Sequence, residues 1–196
     1  MAREIEIKLL LESHLSLEQV SRTIMNYLVA KHGLEFTLTK PNTVDVYWIN
    51  TGGGPAEWVR LRRDLGFREG VLTTKFTDKG SNINRGELES TVWASTAYDV
   101  LKSLFGKEAG ILYKNSIMYV NSTLETSVSV YQVDGSVRVY LEIEGPSLRA
   151  VNKLAKDFLD YADYTGVQII GSSLYEMFVL GQEAKLEPYN TPRRNR

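Results

Sequence analysis

The sequence contains no cysteine, which excludes disulfides, thiol nucleophiles and cysteine-ligated zinc. Histidine is scarce, with only His14 and His32, so a histidine-based metal cluster is not expected. Neither sign of charge is in excess: 23 Lys and Arg stand against 24 Asp and Glu, a net charge of −1. Proteins that grip nucleic acid non-specifically carry a basic surplus, and none is present here. No apolar run approaches the ~18 residues of a membrane span, and the first residues lack the apolar core of a signal peptide. The expectation is a soluble, cytoplasmic protein without a membrane partner.

What is present is ordinary globular material: 196 residues, 43% hydrophobic and 24% charged. A chain of this size buries roughly 70% of its extended surface on folding. No linker-like stretch interrupts it, so residues 1–186 read as one domain. Residues 187–196 carry no apolar period and read as a flexible tail, with Arg193, Arg194 and Arg196 solvated.

Strand patterns dominate. Arg3–Leu11 alternates charged with aliphatic residues. Ser16 with Gln19 then forms a capping box for a helix ending near Gly33. Strands are predicted over 34–39, 43–50, 57–64, 71–77 and 85–94, separated by glycine- and proline-bearing turns. Ser95 is the expected N-cap of a short helix closed by Gly106. Three strands follow, over 110–120, 123–133 and 137–144, then a helix starting at Ser147 and a last short helix after Gly171-Ser172. Gly52-Gly53-Gly54 lacks a following Gly-Lys-Ser/Thr and reads as a hairpin loop rather than a phosphate loop. Trp48, Trp58 and Trp93 read as packing residues, although any of them could stack on a base. The long run of strands with sparse helices gives an α+β fold built on an antiparallel sheet, with closure into a barrel as an option.

The charged residues are placed with a period of two. Residues i, i+2 and i+4 of a strand share a face, so Glu4, Glu6 and Lys8 lie together with Ile5 and Ile7 behind. One such strand is equally the solvated face of a half-buried sheet. The arrangement recurs, however. Arg60 and Arg62 flank Leu61, Lys75 sits in a threonine-rich strand, and Arg85, Glu87 and Glu89 share a side. Glu142-Ile143-Glu144 repeats the opening pattern, with Tyr140 and Arg138 on the same parity. If the apolar faces pack outward against the helices, the charged faces line an interior. Like charges ~4 Å apart at an effective dielectric of 20 repel by about 4 kcal/mol. Paired glutamates in such an interior therefore call for a hard divalent cation, Mg²⁺ or Mn²⁺. Arginine and lysine beside them suit phosphate oxygens.

Taken in order, these motifs resemble the CYTH superfamily, the triphosphate tunnel metalloenzymes. Glu4-x-Glu6-x-Lys8 is similar to its ExExK signature, Asp45-Val46-Tyr47 to its D-x-Y strand and Arg60-Leu61-Arg62 to its L-R-x-R element. Lys75 resembles the lysine of T-x-K, Arg85-x-Glu87-x-Glu89 the R-x-E-x-E strand, and Lys114 the first residue of K-x-R. Glu142-Ile143-Glu144 resembles the closing E-x-E, and Ser173-Leu174-Tyr175-Glu176 the C-terminal S-Y-x-[ED] helix with one residue inserted.

The resemblance implies an eight-stranded antiparallel β-barrel tunnel with flanking helices, acting on a triphosphate with Mg²⁺ or Mn²⁺. It implies metal ligation by Glu4, Glu6, Glu142 and Glu144, to which Glu89 is added. Phosphate contacts are expected from Lys8, Arg60, Arg62, Lys75, Arg85 and Lys114. Lys8 and one of Glu4 or Glu87 are the expected catalytic residues, the glutamate orienting or deprotonating the attacking water. Two positions depart from the pattern: Ser116 stands where K-x-R has its arginine, and Tyr131 where the family's L-D-x-V strand has its acid. Arg138 would restore the lost cation, whereas Asp134 has the wrong parity to restore the carboxylate without a bulge at Gly135.

Three functions follow from the resemblance: triphosphate hydrolysis, cyclisation of ATP by a class IV-type adenylyl cyclase, and binding of a nucleotide or polyphosphate by a weakened tunnel. The expected partner is a small-molecule triphosphate or nucleotide, with nucleic acid admitted only as a 5′-triphosphate RNA end. Monomer and homodimer both remain open.

Overall fold

The computed structural model describes residues 2–11, 14–33, 36–49, 56–76 and 84–189, without the side chains of residues 2–4, 56–57, 75–76 and 84–87. The triglycine loop, the 79–82 turn and the three tail arginines lie outside the described residues.

The alternation read in the sequence becomes an antiparallel sheet. Its long strands are β1 (Ala2–Leu10), β3 (Asn42–Ile49), β4 (Ala56–Asp64), β5 (Glu69–Phe76) and β6 (Asn84–Trp93), followed by β7 (Gly110–Asn121), β8 (Thr126–Val133) and β9 (Tyr140–Glu144). Neighbours pair in the order β1-β6-β5-β4-β3-β7-β8-β9, and β9 pairs with β1 again. The return is made through a split strand. Residues 2–5 of β1 pair with β6 and residues 6–10 with β9, so no stretch of β1 carries both. These strands wall the tunnel. Three short strands lie beside them: β2 (Thr37–Thr39) on β7, β10 (Gln168–Ile170) on β1, and β11 (Leu186–Pro188) on β10.

The apolar faces point outward, and helices cover them. α1 (Leu17–His32) and α3 (Leu148–Ala162) pack Val20, Ile24, Val151 and Phe158 onto Ile7, Leu9, Val130, Leu141 and Ile143. α2 (Ala94–Phe105) sets Leu101 and Tyr98 against Val46, Trp48 and Val59. Burying one Leu-, Ile- or Phe-sized side chain contributes about 1.5–3 kcal/mol, so these two seams hold the tunnel wall from outside. Among the described residues, no helix is long and apolar enough to cross a membrane.

The expected capping box of α1 is formed. Ser16 Oγ accepts the Gln19 N–H at 3.2 Å, and Gln19 Oε1 accepts the Ser16 N–H at 2.8 Å. Ser147 caps α3 from one side only, its Oγ accepting from Ala150 N. The cap expected at Ser95 is not there. β6 runs as far as Trp93, paired with Glu69, and Ala94 N donates to Arg68 O, so α2 starts directly off the sheet without a side-chain cap.

The C-terminal segment also differs from expectation. Glu187 and Pro188, read as the start of the tail, extend the sheet by pairing with Ile169 and Gln168, and Tyr189 packs on the core beneath α1 and α3. Their side chains lack a core period because an edge strand of three residues is held by backbone bonds. Between β10 and β11, the chain makes one π-helical turn, Tyr175–Val179, tied at its base by Gly171 N to Lys185 O and Lys185 N to Ser172 Oγ. This segment lies tightly on β7: a Cβ on Gly110 would fall 2.8 Å from both γ-methyls of Val179. Gly110→Ala is therefore expected to cost roughly 1–3 kcal/mol through overpacking. Thermal unfolding would read this as a lower Tm, and an unchanged Tm would contradict the close contact.

Candidate functional site

The inward faces of the wall enclose a cavity of about 270 Å³. On β1, the outward Ile7 and Leu9 are buried under the helices, which leaves Glu6 and Lys8 facing in. Register then brings carboxylates together. Glu6 lies opposite Glu144, and Lys8 opposite Glu142. Lys8 Nζ is 3.1 Å from Glu6 Oε1 and 3.2 Å from Glu142 Oε2. Ser127 Oγ donates to Glu144 Oε2 at 2.9 Å. Oxygen atoms of Glu6, Glu142 and Glu144 all lie within 4.8 Å of one another. Three hard oxygen donors at that spacing fit a divalent cation.

The cations stand on the neighbouring strands. Arg60 Nη2 donates to Thr73 Oγ1 at 3.0 Å, Thr73 donates onward to Glu89 Oε1 at 2.9 Å, and Glu89 Oε1 is 3.6 Å from Arg60. Arg62 makes a bidentate pair with Asp45, Nε to Oδ1 at 2.8 Å and Nη2 to Oδ2 at 2.9 Å. Lys114 Nζ approaches the same Asp45 Oδ2 at 3.3 Å. Asp45 is fully buried. Burial alone would raise its carboxyl, but Arg62 and Lys114 outweigh that and hold it well below the usual carboxylate range.

Lys114 moves in the opposite sense to what a simple pair would give. Burial first, and then repulsion from Arg62, lower its ammonium to about 8 against the attraction of Asp45 and Glu142. The two shifts agree physically: Arg62 takes both Asp45 oxygens, and Lys114 keeps one longer contact. Affinity of the cavity for an anion is accordingly expected to weaken as pH rises through about 8, when Lys114 loses its charge. Lys114→Arg should remove that fall, since a guanidinium stays protonated. Isothermal titration with tripolyphosphate as an anionic probe between about pH 7 and 9 checks both.

Part of the cavity lining is aromatic. Tyr47, Trp58 and Tyr175 lie with ring centroids 5.3–5.5 Å apart, and Tyr175 arrives from the C-terminal π-turn. Ser173 and Glu176 shape that turn: Glu176 Oε2 accepts Ser173 N at 2.6 Å and Ser173 Oγ accepts Glu176 N at 3.1 Å. Their role is that of a cap, while Ser173, Leu174 and Tyr175 form part of the cavity lining.

No family model matches this chain, and no curated protein does. Solved structures do. HpAC1 from Hippeastrum, an adenylyl cyclase candidate with a dominant triphosphatase activity, aligns over 95% of this chain and 100% of its own at 18% identity, with a TM-score of 0.65. PH1819 from Pyrococcus horikoshii covers 91% of this chain and 99% of its own at 19% identity and TM-score 0.64. An adenylate cyclase candidate from Vibrio parahaemolyticus covers 91% and 98% at 14% identity and TM-score 0.61. The chain has a CYTH-like fold. At these identities the likeness is one of architecture.

Within this cavity, the predicted residues Glu6, Lys8, Glu142 and Glu144 meet on one wall, and Arg60, Arg62, Glu89 and Lys114 line the same space. The side chains of Glu4, Lys75, Arg85 and Glu87 lie outside the described residues, although backbone register sets Glu4 opposite Arg85 and Lys75 opposite Glu87. Arg138 is elsewhere. It is exposed, and its N–H bonds to Ser136 Oγ in the irregular stretch before β9. The parity that aligned it with Glu142 assumed a strand from 137, but β9 begins at 140. Asp134 is likewise exposed in the β8–β9 turn, where its Oδ1 accepts Gly135 N. Sequence reading left Asp45 out of the site. Its signal was an acid on the parity of Tyr47, inside a strand whose other residues from Val44 onward are apolar or aromatic.

Proposed function

We propose that this chain hydrolyses a triphosphate with the help of a divalent cation, Mg²⁺ or Mn²⁺. The observation that carries the reading is the union, in one cavity, of the Glu6–Glu142–Glu144 cluster with Lys8, Arg60, Arg62 and Lys114. Charge balance supports it. The cavity's four described cations are matched by Glu6, Glu89, Glu142 and Glu144, with buried Asp45 behind them. A cavity without net positive charge accepts a polyanion only when that anion brings cations with it.

Glu6, Glu142 and Glu144 would hold the ion, which when bound would supply Lewis-acid polarisation of the phosphate oxygens. Arg60 and Arg62 offer forked donors and Lys8 and Lys114 point charges to the phosphoryl oxygens, where charge rests in phosphoryl transfer. Asp45 orients Arg62 and Lys114 for that contact. Glu4 or Glu87 orients the attacking water or accepts its proton. The triphosphatase activity of the Hippeastrum protein of the same fold supports this reading.

Likeness to the adenylyl cyclase candidates supports a second reading, cyclisation of ATP. The deciding experiment is a substrate panel with Mg²⁺ and Mn²⁺: tripolyphosphate, thiamine triphosphate, nucleoside triphosphates and 5′-triphosphate RNA. Metal-dependent release of orthophosphate from one of them is expected. Cyclic AMP with pyrophosphate from ATP would favour the cyclase, and tight binding without turnover of any compound would leave a binding tunnel.

A further inference from the structure

We propose that Tyr131, which stands where the family pattern has an acid, is a positioning residue that presents the carboxylate of Glu142 to the divalent cation. The inference rests on the metal site of the proposed function and concerns how this chain builds it without the missing ligand.

Tyr131 is almost wholly buried and faces the tunnel. Its hydroxyl donates to Glu142 Oε2 at 3.2 Å, the same oxygen that Lys8 Nζ approaches at 3.2 Å. Two donors on one oxygen set the plane of the carboxylate within the Glu6–Glu142–Glu144 cluster. The Tyr131 ring itself has two close neighbours. Tyr140 stacks on it at 5.5 Å and 14° between planes, and Lys114 Nζ stands 5.1 Å from its centroid. A phenol packed in this way has little freedom to leave Glu142, and donor groups that orient a metal-binding side chain govern metal affinity.

Register explains why the exchange is tolerated. Tyr131 on β8 lies directly opposite Ser116 on β7 and opposite Tyr140 on β9. The two departures from the family pattern, the lost arginine at 116 and the lost acid at 131, are therefore one cross-strand pair. A cation and an anion disappear together, so the charge balance of the wall is kept. What replaces the acid is a neutral donor, which supports the neighbouring carboxylate where a second acid would repel it.

The test is Mn²⁺ binding to the full chain, followed by electron paramagnetic resonance, in the natural protein and in Tyr131→Phe. Phenylalanine keeps the ring between Tyr140 and Lys114 and removes only the hydroxyl. Mn²⁺ affinity is expected to fall roughly 10-fold or more, with thermal unfolding little changed. A variant that binds Mn²⁺ as tightly as the natural protein would overturn the role of Tyr131 and leave the metal site standing. Absence of Mn²⁺ binding by the natural protein would overturn the metal site itself, and the role of Tyr131 with it.

Discussion

Glu142→Gln is expected to abolish metal-dependent phosphate release from tripolyphosphate while the protein stays folded. Glutamine keeps the shape of the side chain and removes its charge. The carboxylate cluster loses one of its three anions, and the contact between Lys8 Nζ and Oε2 loses its ionic partner. Removing one preorganised electrostatic group from a reacting site typically lowers turnover by roughly 10²–10³-fold, and here the same change also weakens the hold on the ion. Glu142 is partly exposed to the cavity, with a side-chain accessibility of 19%, so its neutralisation costs the fold little. Circular dichroism and a phosphate-release assay with Mg²⁺ or Mn²⁺ provide the comparison. Turnover equal to that of the natural protein would remove Glu142 from the metal site.

Asp45→Asn has the opposite profile, a large effect on stability. Asp45 is completely buried, and its two oxygens serve Arg62 twice and Lys114 once. Asparagine leaves two cations facing each other with no anion between them. Breaking a buried ion pair by removing one partner costs about 3–5 kcal/mol, and that scale applies because Lys114 is only 8% exposed and Arg62 30%.

The pH dependence of this loss has a definite sign. The folded Asp45 carboxyl is held below its unfolded value of about 3.9. Its stabilisation is therefore fully present above pH ~4 and is lost as pH falls toward the folded value. Urea unfolding at pH 7 should show the full difference between the natural protein and Asp45→Asn, and the gap should narrow below pH ~4. A gap that is small at pH 7 would mean that Arg62 and Lys114 find other partners.

These two carboxylates mark how far sequence reading reaches. Glu142 was legible because Glu-x-Glu repeats an unusual alternation also seen at the start of the chain. Asp45 was not placed in the site because a single acid in a mostly apolar strand looks the same whether it caps, pairs or binds. Its role depends on Arg62, which sits directly across the β3–β4 ladder, and on Lys114 from β7. Arg138 failed for a related reason. Parity carries through a strand but not through the irregular residues that precede it, and β9 starts two residues after Arg138. The short strands β10 and β11 were invisible because three residues are too few for a period of two to show.

Alternation by itself determined the sides of the wall. A period of two forces Ile5, Ile7 and Leu61 to one face and Glu6, Lys8, Arg60 and Arg62 to the other, and apolar burial then selects which face points out. Strand order, stagger and the residues that meet at one height were decided only by tertiary structure. Alternation is unchanged when a strand slides by two residues, whereas the meeting of side chains is not. That stagger put Tyr131 against Glu142 and set Ser116 beside it, and the fold brought Tyr175 from late in the chain against Tyr47 and Trp58 in the cavity lining.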